Sequence, residues 1–179
     1  FTLIEVLVTT GVLIFLSSTL LLYGHSSKSQ IALFKEQAKI INTILRAKSL
    51  ALTAYNQDGS PCAYGIHFGK DQDENWEFRI FKDLDVNGSA ADCSTADHKY
   101  SDAPSPNNED SETPLVNKLN TGLKFTEPIG FTDMVFIPPD PSVIISPPPS
   151  GDNAILEITD ADGNFKIIKI NSFGQVTTQ

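Results

Sequence analysis

The sequence predicts an α+β fold in which a long N-terminal α-helix precedes an antiparallel β-sheet domain. Residues 6–23 carry no charged side chain, and apolar residues spaced by three and four continue to residue 55. Short runs of β-forming residues, separated by turn sequences, then follow. We therefore divide the chain into a hydrophobic helix (1–24), its amphipathic continuation (25–55) and an antiparallel β head (56–179).

The hydrophobic helix is predicted to be long enough to cross a membrane. Its uncharged part of about 18 residues measures about 27 Å at 1.5 Å per residue. Glu5 lies at the start of this part, and a carboxylate there costs about 1–3 kcal/mol in lipid, so we expect it to have a cationic partner. The first basic side chain, Lys28, is at the opposite end. The terminal amine of Phe1 in a second copy, shifted by about one helical turn, would meet Glu5.

The amphipathic continuation carries an apolar stripe that we expect to dock into the head. The stripe consists of Phe34, Ala38, Ile41, Leu45, Leu52 and Tyr55, with Ile44 and Ala51 alongside. Residues 56–61 contain turn formers and a proline, which predict the end of the helix. Residues 9–11, residues 17–19 and Gly24 have low helix propensity and are predicted weak points.

The head is predicted to consist of short antiparallel strands, folded into one or two layers. Residues 69–75 and 160–164 are predicted hairpin loops. Residues 87–114 and 138–151 are rich in Ser, Asp, Asn or Pro and are predicted surface loops. The predicted strands are 63–68, 76–81, 134–137, 154–159, 165–170 and an edge strand at 175–178.

Charge is distributed unevenly along the chain. The first 55 residues hold five basic and two acidic side chains, whereas the remainder holds 8 basic and 20 acidic ones. The head therefore carries a net charge near −12 and would repel phosphate backbones, so nucleic acid is an unlikely partner for it. The alternative is that the acidity only keeps the surface well solvated.

The first seven residues, Phe1-Thr2-Leu3-Ile4-Glu5-Val6-Leu7, resemble the mature N-terminus of type IV pilins and type II secretion pseudopilins. The resemblance implies cleavage by prepilin peptidase just before Phe1 and N-methylation of the Phe1 amine, as in the class III type of N-terminus. It also implies that Glu5 neutralises the terminus of a neighbouring subunit during assembly. Many relatives carry a proline at position 22, where this chain has Leu22, so the place where the helix melts in a filament is open. The alternative is an ordinary signal anchor with the same first residues.

The head is most similar to the H-type minor pseudopilin and related minor pilins. The similarity is carried by residues 46–51 late in the helix and by the segments 80–88, 135–139 and 170–176. It covers most of the head.

The export that this resemblance implies favours a disulfide between Cys62 and Cys93, the only two cysteines of the chain. The bond would close a loop of about 32 residues and stabilise the fold by about 3–4 kcal/mol. The alternative is two free thiols.

Asp83, Asp85 and Asn87, followed by Gly88, match the opening half of a calcium-binding loop. Ser94 occupies the place where a bidentate Glu is expected, so Asp92 or Asp97 would have to replace that ligand. The alternative is a turn in which these side chains cap their own backbone. No other cofactor is expected.

The sequence does not indicate an enzyme. His25 follows the hydrophobic helix, His67 lies in a strand pattern and His98 in an acidic loop, so their spacing assembles no catalytic group.

The function that the resemblance implies is that of a structural subunit of a type IV pilus or pilus-like extracellular filament. The chain would be stored as a single-pass protein in the cytoplasmic membrane, in contact with lipid, and extracted by an inner-membrane assembly platform. It would then polymerise through its N-terminal helix into a homo-oligomeric helical filament at the cell surface.

Two alternatives are kept. A minor tip subunit would bind a surface, DNA or secreted cargo through loops 87–114 and 138–151. A plain bitopic surface protein would show no assembly that depends on Glu5. The sequence does not choose among motility, DNA uptake, adhesion and secretion.

Overall fold

The computed structural model describes residues 2–54, 61–84, 93, 96–100, 115–139, 142–151 and 153–179, and only the backbone of residues 21–27. Within these ranges the chain forms one α-helix and nine β-strands. The helix, α1, spans Leu3–Ala54. The strands are β1 (Ala63–Lys70), β2 (Trp76–Asp83), β3 (Leu115–Lys118), β4 (Lys124–Phe125), β5 (Asp133–Phe136), β6 (Val143–Ser146), β7 (Asn153–Thr159), β8 (Phe165–Asn171) and β9 (Val176–Thr178).

The strands form two antiparallel sheets, so the predicted α+β class is confirmed. The first sheet has the order β3-β2-β1-β5-β6, and the second has the order β4-β7-β8-β9. Both sheets contact the second half of α1. They also share one hydrophobic core, in which the ring of Phe68 lies 5.5 Å from that of Phe131 and 5.7 Å from that of Phe125. The aromatic side chains thus join strands of the two sheets.

The face of α1 that enters this core is not the predicted stripe. Leu33, Ile40, Ile44, Ala47 and Ala51 are buried, with Glu36, Gln37 and Thr43 beside them. The predicted residues Phe34, Ala38, Leu45 and Leu52 are exposed, and Ile41 is half-buried. Tyr55 lies outside the described residues, whereas Ile44 and Ala51, expected alongside the stripe, are buried. The prediction was wrong because α1 has two neighbouring apolar faces and spacing alone does not say which one meets the sheets.

The predicted weak points do not interrupt the helix. α1 continues through residues 9–11, 17–19 and Gly24. The hydroxyls of Thr9, Thr10, Ser17, Ser18 and Thr19 each donate to a helix carbonyl three or four residues earlier. These side chains therefore satisfy their polar atoms within the helix.

Three turns of the head repeat one hydrogen-bonding pattern over five residues. In the β1–β2 turn, Asp71 accepts from the backbone N–H groups of Asp73 and Asn75. Asp160 does the same in the β7–β8 turn, and Asn171 does so between β8 and β9. The fourth residue has a positive φ in each: 62° at Glu74, 84° at Gly163 and 68° at Gly174. A short side-chain oxygen at the first position thus fixes all three turns.

Several predicted boundaries needed correction. The predicted loop 138–151 contains β6, a four-residue edge strand that pairs with β5 between flanking prolines. Strands β3 and β4 were not predicted, because β4 has only two residues and half of β3 is Asn117 and Lys118, which are residue types depleted in strands. The first hairpin turn is narrower than 69–75, since β1 continues to Lys70. Most of the predicted loop 87–114 lies outside the described residues.

Candidate functional site

The first half of α1 stands apart from the head. Residues 2–20 are all exposed, and the window Leu3–Leu20 has a mean hydropathy of 2.0 and is long enough to cross a membrane. By length and composition this segment is suited to be a membrane anchor or a signal sequence. It offers a large apolar surface that the rest of the described chain does not cover.

Glu5 lies in the first turn of α1, where its negative charge interacts favourably with the helix dipole. Among the described residues its carboxylate has no ion-pair or side-chain hydrogen-bond partner. Phe1, the other predicted assembly residue, lies outside the described residues, so the pairing of Phe1 with Glu5 stays a prediction. An unpaired acid on an apolar helix calls for a partner from outside this part of the chain.

The exposed apolar surface continues past the membrane-length window. Ile31, Phe34, Leu45 and Leu52 are between 49% and 66% exposed. Together with Ala38 and Ile41 they alternate by three and four residues up to Leu45, and Leu52 lies seven residues further on, with Lys48 at the position between. This spacing is the seam pattern by which one helix packs along another. We call residues 31, 34, 38, 41, 45 and 52 the outer seam.

The predicted disulfide is confirmed. Cys62 and Cys93 are bonded, with their Cα atoms 5.2 Å apart. Cys62 lies just before β1, so the bond attaches the loop that carries Cys93 to the first sheet. Further along this loop, residues 96–100 lie on the face of the first sheet that points away from α1.

Tyr100 is the main contact of this segment. Its ring lies 5.6 Å from that of Phe81 and 4.7 Å from that of His67. The hydroxyl of Tyr100 accepts from Arg79 at 2.6 Å, and its backbone N–H donates to Asp133 at 3.3 Å. Gly65 makes room here, since a Cβ at that position would lie 2.4 Å from the ring of Phe81.

Two histidine–carboxylate pairs lie on the same face. His67 Nδ1 is 2.8 Å from Asp133 Oδ1, and His98 Nδ1 is 2.6 Å from Asp83 Oδ2. Burial raises the pKa of the Asp83 carboxyl above its usual value, and the bond from His98 opposes that shift. The His98–Asp83 pair connects the 96–100 segment to β2, and the His67–Asp133 pair connects β1 to β5.

Among the described residues the His67–Asp133 pair is not arranged as a nucleophile and base. The hydroxyl of Thr132 donates to the second oxygen of Asp133 at 2.7 Å, not to His67. A serine-type triad requires the hydroxyl to donate to the imidazole. The expectation that the chain is not an enzyme stays a prediction.

Two residues of the calcium-loop prediction are described, Asp83 and the substitute ligand Asp97, whose Oδ1 accepts from the backbone N–H of Lys99. Asp83 is fully buried. His98 contacts its Oδ2, while its Oδ1 is buried and has no hydrogen-bond partner among the described residues. Asp85, Asn87, Gly88, Asp92 and Ser94 lie outside the described residues. Over the described ranges no three His, Cys, Asp or Glu side chains are grouped so that they could hold a metal ion. The calcium loop stays a prediction.

Comparison of the chain with protein-family models, with curated proteins and with solved structures gave no match in any of the three.

Sequence reasoning missed the network around Tyr100 and Arg79. The signal was the alternation on β2, where Glu77, Arg79, Phe81 and Asp83 occupy every second position. Charged residues with this period are typical of a solvated face, and of these four only Phe81 indicates that part of this face is covered. The spacing does not say that the cover comes from residues 96–100.

Proposed function

We propose that this chain is a structural subunit of a type IV pilus or pilus-like filament that polymerises through its N-terminal helix. The observation that carries the proposal is the exposed half of α1: residues 2–20 form an uncovered apolar helix whose single charged residue, Glu5, lacks a partner among the described residues. The helix of a second copy would cover this apolar surface, and the terminal amine of that copy would pair with Glu5.

Helix contacts between copies would extend beyond this first half. Ile31, Phe34, Leu45 and Leu52 of the outer seam continue the exposed apolar surface along α1, whereas Ile41 is partly buried against the core of the head. Burial of one leucine-sized side chain stabilises an assembly by about 1.5–3 kcal/mol. Covering the seam by neighbouring helices would therefore contribute to polymer stability in addition to the N-terminal half.

In this proposal, Glu5 determines how far one copy is shifted along the axis relative to the next. The Phe1 ammonium of the incoming copy pairs with Glu5 of its neighbour inside an apolar bundle, where water does not screen the two charges. Before assembly the same apolar helix holds the chain in the membrane. Prepilin peptidase and an assembly platform are the partners that this sequence of steps requires.

The test is Glu5→Ala. We expect the variant to reach the membrane and keep a normally folded head, but to enter filaments poorly or not at all, because the buried ammonium of its neighbour loses its counter-charge. Asp162→Ala is the matched control, since it removes one exposed carboxylate from the head. The measurement is filament yield from sheared cells, normalised to the membrane pool of the subunit.

A wild-type filament yield from Glu5→Ala would contradict the proposal. Loss of yield in Asp162→Ala as well would show that the assay responds to net charge, not to the helix pair.

The second candidate is a minor subunit at the filament tip. It is favoured by a groove of about 690 Å³ between β6 and the β8–β9 turn, lined by Val143, Ile145, Pro148, Pro149 and Phe173 among others. A groove whose apolar walls also carry a few polar side chains, here Asn153, Asn171 and Ser172, suits a ligand. The abundance of this chain in purified filaments separates the two roles, because a tip subunit is present in only a few copies per filament.

A further inference from the structure

A second groove, of about 440 Å³, lies between α1 and the edge of the first sheet. The helix contributes Lys35, Lys39, Asn42, Thr43 and Arg46 among others, and β3 contributes Leu115 and Asn117. Three of the five basic side chains of the first 55 residues therefore line one groove. We call it the basic groove.

The three cations of the basic groove differ in whether they already have a partner. Lys39 contacts Glu36 at 3.3 Å and donates to the carbonyl of Lys118 at 2.6 Å. Lys35 and Arg46, at the two ends, have no recorded ion pair with any described residue. Two positive charges are therefore left for a ligand.

The strand side of the groove also has unused hydrogen-bonding capacity. The Nδ2 of Asn117 is buried and has no acceptor among the described residues, and a buried donor is destabilising when it stays unpaired. Within the same ranges β3 pairs only with β2, so the backbone of its other edge is not used by a strand. An open edge of this kind accepts an extended peptide.

We propose that the basic groove binds an extended acidic segment from the head of a second copy of this chain. The charges support this occupant, because the groove is basic whereas residues 56–179 hold 20 acidic and 8 basic side chains. The proposal rests on the filament function and deepens it, since it adds a contact between stalk and head to the contacts between helices.

The length of the groove determines what fits. Lys35 and Arg46 are eleven residues apart on the helix, which places them about 16 Å apart along its axis. An extended chain covers this distance with about five residues. The fitting segment therefore carries carboxylates about five positions apart, with its backbone beside β3 and Asn117.

Anionic lipid is a poorer occupant. Lys35 lies fifteen residues beyond Leu20, the end of the membrane-length window, or about 22 Å along the helix. This distance exceeds the Debye length of about 8 Å at physiological salt, so the surface charge of a membrane is largely screened there.

The first experiment measures peptide binding by the unassembled full chain in uncharged detergent. Dye-labelled pentaglutamate is titrated and followed by fluorescence anisotropy. We expect saturable binding that weakens with salt and that falls about tenfold or more in the double variant Lys35→Glu/Arg46→Glu. Lys124→Glu/Lys169→Glu is the matched control, because it makes the same charge change on the second sheet and should bind as the parent does.

The second experiment identifies the occupant. Filaments, and in parallel membranes holding the unassembled chain, are prepared from a mixture of ¹⁴N- and ¹⁵N-labelled copies and treated with a carbodiimide, which joins lysine amines to nearby carboxylates. We expect isotope-mixed cross-links in filaments between Lys35 and acidic residues of the head. Their absence, or cross-links only within one copy, overturns the proposal, as does unchanged binding of pentaglutamate by Lys35→Glu/Arg46→Glu. Binding of anionic vesicles or duplex DNA in preference to the peptide likewise overturns it.

These failures are distinct from failure of the filament proposal. The peptide titration uses unassembled chains and does not depend on Glu5. A filament that assembles normally with Glu5→Ala would contradict the polymer mechanism, while leaving the peptide result unaffected.

Discussion

Glu74 occupies a backbone conformation that its side chain disfavours. Its φ of 62° lies in the left-handed region, and the equivalent positions of the two related turns are Gly163 and Gly174. A residue with a Cβ pays about 1–2 kcal/mol in this region. The Glu74 carboxylate offsets little of this strain energy. Its contact with Lys70 at 3.4 Å is exposed, and Lys70 has a closer partner in Glu127 at 2.8 Å.

We therefore predict that Glu74→Gly stabilises the head by about 0.5–1 kcal/mol, since the relief of strain exceeds the entropy that glycine adds to the unfolded chain. The measurement is urea denaturation followed by the fluorescence of Trp76, the only tryptophan. Gly163→Ala is the control. Its added Cβ would meet open space, so the only effect is that an alanine must adopt the unfavourable φ of 84°. It should destabilise by about 1 kcal/mol, and a stabilising effect would contradict the argument.

Asp71 links its turn to β3. The hydrogen bond from Lys118, together with the N–H of Asn75, lowers the pKa of Asp71 from 3.8 to about 2. A group whose pKa is lower in the folded state stabilises the fold above its unfolded pKa, and this contribution is lost as the pH falls through the folded pKa. Its effect is therefore present above pH 4 and disappears towards pH 2.

Asp71→Asn tests this dependence. Asparagine keeps the two backbone bonds, as Asn171 does in the third turn, but removes the charge that Lys118 pairs with. We expect the variant to be less stable than the parent at pH 6, with a difference that shrinks as the pH is lowered towards 2. Asp73→Asn makes the same change two residues away and serves as control. A difference that is independent of pH would contradict the role of the charge.

At the scale of elements, adjacent residues of α1 face opposite environments. Ile44 is fully buried under the sheets, whereas Leu45 is 50% exposed and belongs to the outer seam. A helix turns by about 100° per residue, so one step along the chain moves a side chain from one apolar face to the other.

This pair of neighbours yields a matched prediction. Ile44→Asp should unfold the head, because an unpaired buried charge costs about 3–5 kcal/mol. Leu45→Asp should change head stability by less than about 0.5 kcal/mol but reduce filament yield, because the charge would be buried between copies. Urea denaturation followed by Trp76 fluorescence measures the stability of the head, and the yield of sheared filaments measures assembly. Wild-type yield from Leu45→Asp would exclude the outer seam from the subunit contact.

At the scale of the whole molecule, charge is segregated between stalk and head. The head carries a net charge near −12, and two cations of the basic groove, Lys35 and Arg46, have no ion pair with any described residue. Affinity for duplex DNA grows with the number of phosphates that are neutralised, and two contacts are few. The acidic head adds repulsion.

We therefore predict negligible affinity of filaments built from this chain alone for duplex DNA at physiological salt. A filter-binding or gel-shift assay on purified filaments measures it. Tight binding that weakens steeply with added salt would contradict the prediction, and Lys35→Glu/Arg46→Glu would then show whether the basic groove is responsible.

The sequence by itself determined the element types. An uncharged segment followed by apolar residues spaced by three and four predicted one long helix. Alternating segments bounded by turn residues predicted antiparallel strands. The disulfide was also predictable, because the export implied by the N-terminal resemblance favours a bond and two cysteines allow only one pairing. These features depend on local periodicity or on counting, which a single sequence contains.

Tertiary structure alone decided which surfaces meet. Both faces of α1 are apolar, so the choice of Ile44 over Leu45 depended on the shape of two sheets whose strands are far away in the chain. The same holds for β6, which becomes a strand only because β5 offers an open edge, and for Tyr100, which reaches His67 and Arg79 across more than 20 positions. Long-range packing selects among locally equivalent alternatives, and local spacing carries no information about that choice.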